Sequence, residues 1–263
     1  MNLTVIKQQV IEVAKAAGNF IEREYHQFDQ AAIEYKGINN MVSYVDKTAE
    51  KMIVEGLHKI LPEAGFIAEE GTGEEKKGGL NWIIDPLDGT TNFIHGIPCF
   101  CVSIALVENI TLQVGVIYDP ILKECFHAAK GEKAYCNEKE ISVANAELSK
   151  ALVATGFPYY DFEKMPQYME IIRKLMQQSH GLRRMGSAAI DLAYVACGRF
   201  DAFFEYNLNS WDVAAGILLV ECAGGRVSDF KNGDQALFGR ELIAASKPVQ
   251  KELQTLIEHI FYQ

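Results

Sequence analysis

Apolar positions along this chain follow two rhythms that alternate several times. Across residues 5–25 they stand at 6, 10, 13, 17, 20 and 21 with charges between them, which predicts an amphipathic helix. A second helix is predicted over 47–61, with Met52, Ile53, Leu57, Ile60 and Leu61 inward and Pro62 as the stop. A short strand at 65–68 follows, then a polar, glycine-rich loop over 71–79. Trp82-Ile83-Ile84 has the composition of a buried strand, and Pro86 has no N–H for a ladder, so this strand is expected to stop at Asp85. Residues 100–107 and 111–118 read as a hairpin around Glu108-Asn109, continued by strands at 124–129 and 141–143.

From about Leu148 the elements alternate. A strand at 152–155 precedes helices at 162–179 and 187–197, then come a strand at 202–206, a helix at 211–222, strands at 226–228 and 242–244, and a closing helix at 249–261. The 211–222 helix is almost wholly apolar and is expected to be buried on all sides. With no internal repeat and no low-complexity linker, the pattern predicts an α/β protein of layered helices and sheets. Its β-rich first part would span residues 1–147 and its alternating second part 148–263.

Composition narrows the class without naming a function. At 263 residues, 49% hydrophobic and 23% charged, the chain is an ordinary globular protein. No segment reaches 18 apolar residues, so no membrane span is expected. The first residues lack the pattern of a signal peptide, and six cysteines without a C-x-x-C pair suggest reduced thiols, so a cytoplasmic protein is expected. Cys99 and Cys101 read as buried thiols, and no histidine stands at zinc-ligand spacing to them. A net charge of −10 argues against non-specific nucleic-acid binding.

The candidate chemistry lies in carboxylates at the ends of apolar elements. Asp85 and Asp88 flank Pro86 and are expected to face one another across a tight turn, with Gly89, Thr90 and Thr91 offering N–H groups and hydroxyls where a short helix could begin. Glu69 ends a strand, Asp212 opens the buried helix, and Asp46 precedes the helix from Lys47. Taken singly, Asp-Pro-x-Asp is equally an ordinary turn, Asp46 an N-cap and Asp212 an acid complementing a helix dipole. Gathered in one place, such groups repel by about 4 kcal/mol for a pair ~4 Å apart, and they call for a cation. All-oxygen ligation suits Mg²⁺ or Mn²⁺ rather than zinc or copper. No serine or cysteine sits in a nucleophile context, which favours direct attack by water.

Asp85-Pro86-Leu87-Asp88-Gly89-Thr90-Thr91-Asn92-Phe93, preceded by Ile67-Ala68-Glu69-Glu70 and followed by Ser210-Trp211-Asp212-Val213-Ala214-Ala215-Gly216, resembles the inositol monophosphatase family, one of the Mg²⁺-dependent, lithium-sensitive phosphatases. The resemblance runs in order from Lys36 to Gly225. It implies an αβαβα sandwich of the sugar-phosphatase type, usually a homodimer, holding two or three Mg²⁺ ions. Carried over by position, Glu69, Asp85 and the Leu87 carbonyl would bind one Mg²⁺, and Asp85, Asp88 and Asp212 a second, with Lys36 near a third, weaker position. Glu70 could replace Glu69 as ligand, although the family register favours Glu69. Asp46 and Thr90 would hold the attacking water, with Glu69 the third catalytic residue. The N–H groups of Gly89 and Thr90 would hold the phosphate, while Gly186, Ser187, Ala188, Glu205 and Asp212 would line the substrate. Three departures stand out: Ser187 where threonine is common, Leu87 for isoleucine, and an atypical Asn207-Leu208-Asn209 near the leaving group.

The expected reaction is hydrolysis of inositol 1-phosphate or a related polyol phosphate. Fructose 1,6-bisphosphate, NADP and 3′-phosphoadenosine 5′-phosphate are alternative substrates, as among relatives with the same metal core. From a different class, the chain could be an RNA-polymerase or antitermination accessory, as some bacterial relatives are. Three further features have a bland reading beside a functional one: His95 as a helix-surface histidine, Arg183-Arg184 as surface salt-bridge or dimer residues, and Tyr159-Tyr160 as a loop near a partner subunit.

Overall fold

Two large β-sheets and three pairs of helices alternate in five layers in the computed structural model, which describes residues 1–28, 33–37, 40–158 and 161–263. The chain opens with α1 (Leu3–Tyr25), the hairpin β1 (Ile33–Gly37) and β2 (Asn40–Ser43), and α2 (Tyr44–Ile60). A sheet of seven strands follows: β3 (Gly65–Ala68), β4 (Leu80–Asp88), β5 (Cys101–Glu108), β6 (Thr111–Asp119), β7 (Glu124–Ala129), β8 (Tyr135–Cys136) and β9 (Lys139–Glu140), arranged in that order. The helix α3 (Thr90–Ile94) interrupts it after β4. β3 pairs parallel with β4 and all later neighbours are antiparallel.

The second part supplies β10 (Leu152–Thr155), α4 (Met165–Gln178), β11 (Gly181–Arg183), α5 (Ala188–Ala196), β12 (Ala202–Tyr206), α6 (Ser210–Cys222), β13 (Arg226–Ser228), β14 (Glu241–Ala245) and α7 (Lys247–Phe261). Its strands form a five-membered sheet in the order β11-β10-β12-β14-β13, with β11, β10 and β12 mutually parallel.

The apolar runs of β4 to β7 explain the layering. A strand buried on both faces has no polar alternation, and successive side chains go to opposite cores. Trp82 and Ile84 pack with α1 and α2, whereas Ile83 packs with α5, α6 and the inner face of the second sheet. Phe204 and Ile243 leave that sheet on its outer face, against Tyr168 of α4 and Leu253 of α7. The middle layer, α5 with α6, therefore touches a sheet on either side, which is why its sequence is apolar all round. Contact there is close. A Cβ on Gly115 of β6 would lie 2.9 Å from the Ala215 carbonyl oxygen of α6. The αβαβα sandwich implied by family resemblance is the observed architecture.

Several boundaries differ from expectation. β4 does not stop at Asp85 but runs to Asp88, because its register with β5 shifts between the two aspartates and the bulge accommodates Pro86 without a ladder N–H. The expected tight turn between Asp85 and Asp88 is thus a bulge inside a strand. α4 begins at Met165 rather than 162, with Pro166 in its first turn. Residues 141–143 form no strand, while β8, β9 and β11 are too short to leave a periodic signal. Met52, expected inward, lies on the exposed face of α2. Among the described residues no helix is long and apolar enough to cross a membrane.

Candidate active site

The β4 bulge carries the centre of the site. Asp85 lies opposite Ser103 and Asp88 opposite Cys101. Asp85 Oδ1 accepts the Leu87 N–H at 3.0 Å, which tightens the bulge. The Leu87 side chain is fully buried in the α1–α2 core, while its carbonyl accepts the Thr90 hydroxyl at 3.0 Å at the cavity. Gly89 then turns the chain with φ +97°, and a Cβ there would lie 2.8 Å from the Cys99 carbonyl oxygen, so only glycine fits. α3 starts at Thr90.

Around this bulge the other elements deliver their acids. Glu69 follows β3, the parallel neighbour of β4, and lines the cavity, while Glu70 does not. Asp212 is the third residue of α6, where its Oδ2 accepts the Asn209 N–H at 2.6 Å. The capping role and the cavity position coexist, because capping occupies one edge of the carboxylate. Ser187 caps α5, and its hydroxyl and the Ala189 N–H both reach Asp88 Oδ2 at 2.6 Å. Glu205 of β12 is pressed against Gly156, where any Cβ would collide with its carboxylate. Gly186 (φ +89°), Ser187 and Ala188 line the same wall. The enclosed volume is about 240 Å³, and its lining holds six carboxylates (Glu69, Asp85, Asp88, Asp191, Glu205 and Asp212) against the guanidinium groups of Arg184 and Arg240.

Asp46 needs correction on two counts. Ser43, not Asp46, is the N-cap of α2, and Asp46 is the third helical residue of a capping box. It also does not line the cavity. Its Oδ2 accepts from the Ser43 N–H (2.8 Å) and hydroxyl (2.7 Å), and its Oδ1 lies 2.9 Å from the Thr90 hydroxyl. Asp46 reaches the cavity by a hydrogen bond through Thr90 and by its charge on Glu69. Lys36 belongs to β1, and its side chain lies outside the described residues, as do Tyr159 and Tyr160. His95 is exposed at the end of α3, and Cys99 and Cys101 are buried free thiols, as expected.

Crowded acids in a buried place resist ionisation. Burial, then the charges of Glu69, Asp88 and Asp212, holds Asp85 well above the carboxylate range. Glu69 rises through burial and the charges of Asp212 and Asp46. Burial pushes Asp88 up to about 6 in spite of the Ser187 and Ala189 donors, and burial with the Asp88 charge pushes Asp212 up to about 7. Sequence reasoning missed two charged lining residues. Asp191, an acid inside the apolar run Ala189-Ile190-Asp191-Leu192, is buried with Oδ1 unpartnered. Arg240 sits beyond any motif, and its guanidinium donates to Asn207 at the cavity edge.

Among the described residues no three acidic, histidine or cysteine side chains stand at closed ligation distance. The fit to a cation therefore rests on the donor set: four carboxylates and a backbone carbonyl around one cavity, all hard oxygen, suit Mg²⁺ or Mn²⁺.

The family model for the inositol monophosphatase family matches residues 2–262. The chain belongs to that family. Relatives carry two kinds of name: a Nus factor SuhB from Pasteurella multocida is 42% identical over 250 residues, covering 94% of each chain, and an inositol-1-monophosphatase from Mesorhizobium japonicum is 39% identical over 246 residues, covering 93% of this chain and 92% of that protein. The crystal structure of the extragenic suppressor protein suhB from Bartonella henselae superposes with a TM-score of 0.91 at 38% identity, covering 97% of this chain and 98% of that one. Family membership supports a phosphatase.

Proposed function

We propose that this inositol monophosphatase family member is a Mg²⁺-dependent phosphomonoesterase hydrolysing inositol 1-phosphate or a related polyol phosphate to alcohol and inorganic phosphate. One observation carries the reading: Glu69, Asp85, Asp88, Asp212 and the Leu87 carbonyl converge on one cavity beside the Gly89–Thr90 turn. Two or three Mg²⁺ ions, or Mn²⁺ in their place, would supply Lewis acidity and a water of lowered pKa. Glu69, Asp85 and Leu87 would hold one ion and Asp85, Asp88 and Asp212 another. Thr90, backed by Asp46, would orient the water, and the N–H groups of Gly89 and Thr90 would receive the phosphate. Glu205 and the wall Gly186-Ser187-Ala188 would take the polyol, with Asp212 at the leaving-group side. Residues 1–147 would supply most metal ligands and 148–263 the substrate wall and Asp212, as one catalytic unit in a cytoplasmic homodimer. An exposed apolar stripe on α4, Met165, Met169 and Met176, supports a partner subunit.

The test is a phosphate-release panel over polyol, sugar and nucleotide phosphates with Mg²⁺, with Mg²⁺ plus Li⁺, and with chelator. Metal-dependent turnover strongest on inositol 1-phosphate, and inhibited by Li⁺, is expected. Preference for fructose 1,6-bisphosphate, NADP or 3′-phosphoadenosine 5′-phosphate would reassign the substrate. The Nus factor SuhB relatives favour a second reading, an RNA-polymerase or antitermination accessory. No turnover on any ester, together with a stable transcription partner in pull-down, would select it. The net charge of −10 speaks against direct nucleic-acid contact in either case.

A further inference from the structure

Glu50 lies one turn after Asp46 on the same face of α2 and is fully buried. A buried carboxylate is costly unless hydrogen-bonded, so its partners show what keeps it there. Both are backbone groups of the loop after β3: Oε2 accepts the Glu70 N–H and Oε1 the Thr72 N–H, each at 2.8 Å. The two N–H groups between and before these are also placed, Glu69 N–H on the Ile84 carbonyl of β4 at 3.2 Å and Gly71 N–H on Ala68 at 3.1 Å. Every amide from 69 to 72 is thus fixed, and Glu69 is the one residue among them that lines the cavity. One side of Glu69 is tied to the strand bearing Asp85 and Asp88, the other to the helix bearing Asp46.

We infer that Glu50 is a positioning residue for the cation site, acting through the 69–72 backbone to hold Glu69 on the cavity wall beside the β4 carboxylates. The inference rests on the proposed metal-dependent reading of the cavity. A carboxylate suits the task because it offers two acceptors. Glutamine offers one and turns an amide N–H₂ towards the second backbone N–H, and alanine offers none.

The experiment measures Mn²⁺ binding to metal-stripped full-length protein by the electron paramagnetic resonance signal of free Mn²⁺, without substrate. Glu50→Gln is expected to weaken binding about 10-fold and Glu50→Ala about 100-fold, the range found for groups that orient metal ligands. Circular dichroism should remain that of the wild type, and KM for inositol 1-phosphate at saturating Mg²⁺ should change little. A purely structural role would lower the melting temperature and leave Mn²⁺ affinity of the folded protein unchanged, and that result in either variant overturns the inference. Should Glu50→Ala fail to fold, Glu50→Gln decides alone, and wild-type affinity there overturns it. A wild-type protein that binds Mn²⁺ but hydrolyses no phosphate ester defeats the proposed function and leaves the role of Glu50 standing.

Discussion

At the scale of single residues, the cavity separates groups that hold one another from groups left for a ligand. Asp88 is held by Ser187 and Ala189 in a geometry that an asparagine oxygen can also accept. Asp88→Asn should therefore fold with a near-native circular dichroism spectrum and lose about a thousandfold in kcat, the order that removing one preorganised electrostatic group costs. Near-wild-type phosphate release in Mg²⁺ would refute its place in the site. Gly156→Ala drives a methyl group into the Glu205 carboxylate. The expected result is a raised KM for inositol 1-phosphate with little change for p-nitrophenyl phosphate, which has no sugar hydroxyls, and an equal effect on both would show that Glu205 does not read the polyol. Most of this neighbourhood is legible in the sequence because each acid ends an apolar run, as Glu69 and Asp85 do. Asp191 was not, because one acid in a helix of small apolar residues gives no periodic cue, and only the fold shows which way it faces.

At the scale of elements, the site depends on how α6 lies on the first sheet. Gly115 permits backbone contact between β6 and Ala215, so Gly115→Ala must push the helix, and with it Asp212, away from the β4 bulge. A loss of about 1–3 kcal/mol in urea unfolding is expected, the usual range for overpacking, together with weaker Mn²⁺ binding. Unchanged stability would mean the helix can shift freely. The long elements were readable because their periods repeat: α1, α7, β7, β10, β12 and β13 fall within a few residues of their predicted spans. The β4 bulge was not readable. Pro86 signals the end of a ladder, and whether the strand stops or slips by a register step is decided by its partner β5, far along the chain.

At the scale of the whole molecule, the acids make stability depend on pH and on cations together. Asp88 and Asp212 have folded-state values of about 6 and about 7, above the ordinary 3.8. A group whose pKa is raised by folding stabilises the native state below its unfolded value and loses that contribution as pH rises through the folded value. In chelator the melting temperature should therefore fall between about pH 4, the unfolded value, and about pH 7, the higher folded value, and level off above it. Mg²⁺ binds the ionised form, so it should restore the lost stability most at the upper end. Calorimetry with and without Mg²⁺ checks both, and a metal-free profile that rises through this window would contradict the crowded-acid picture. Asp212→Asn should flatten the fall.

The order in which the layers are synthesised has a consequence for the nascent chain. The first sheet is complete at Glu140, yet α6, which covers its second face, begins only at Ser210. At ~5–20 residues per second, roughly 70 residues of translation separate the two, on the order of 4–14 s. Until α5 emerges from Ala188 onward, Ile83, Ala105, Ile117 and Phe126 have no helix to pack against, and the layer stays incomplete until α6 follows. The emerging half-molecule is thus a natural client for a chaperone at the ribosome exit, and slower translation of the segment before α6 would lengthen its exposure.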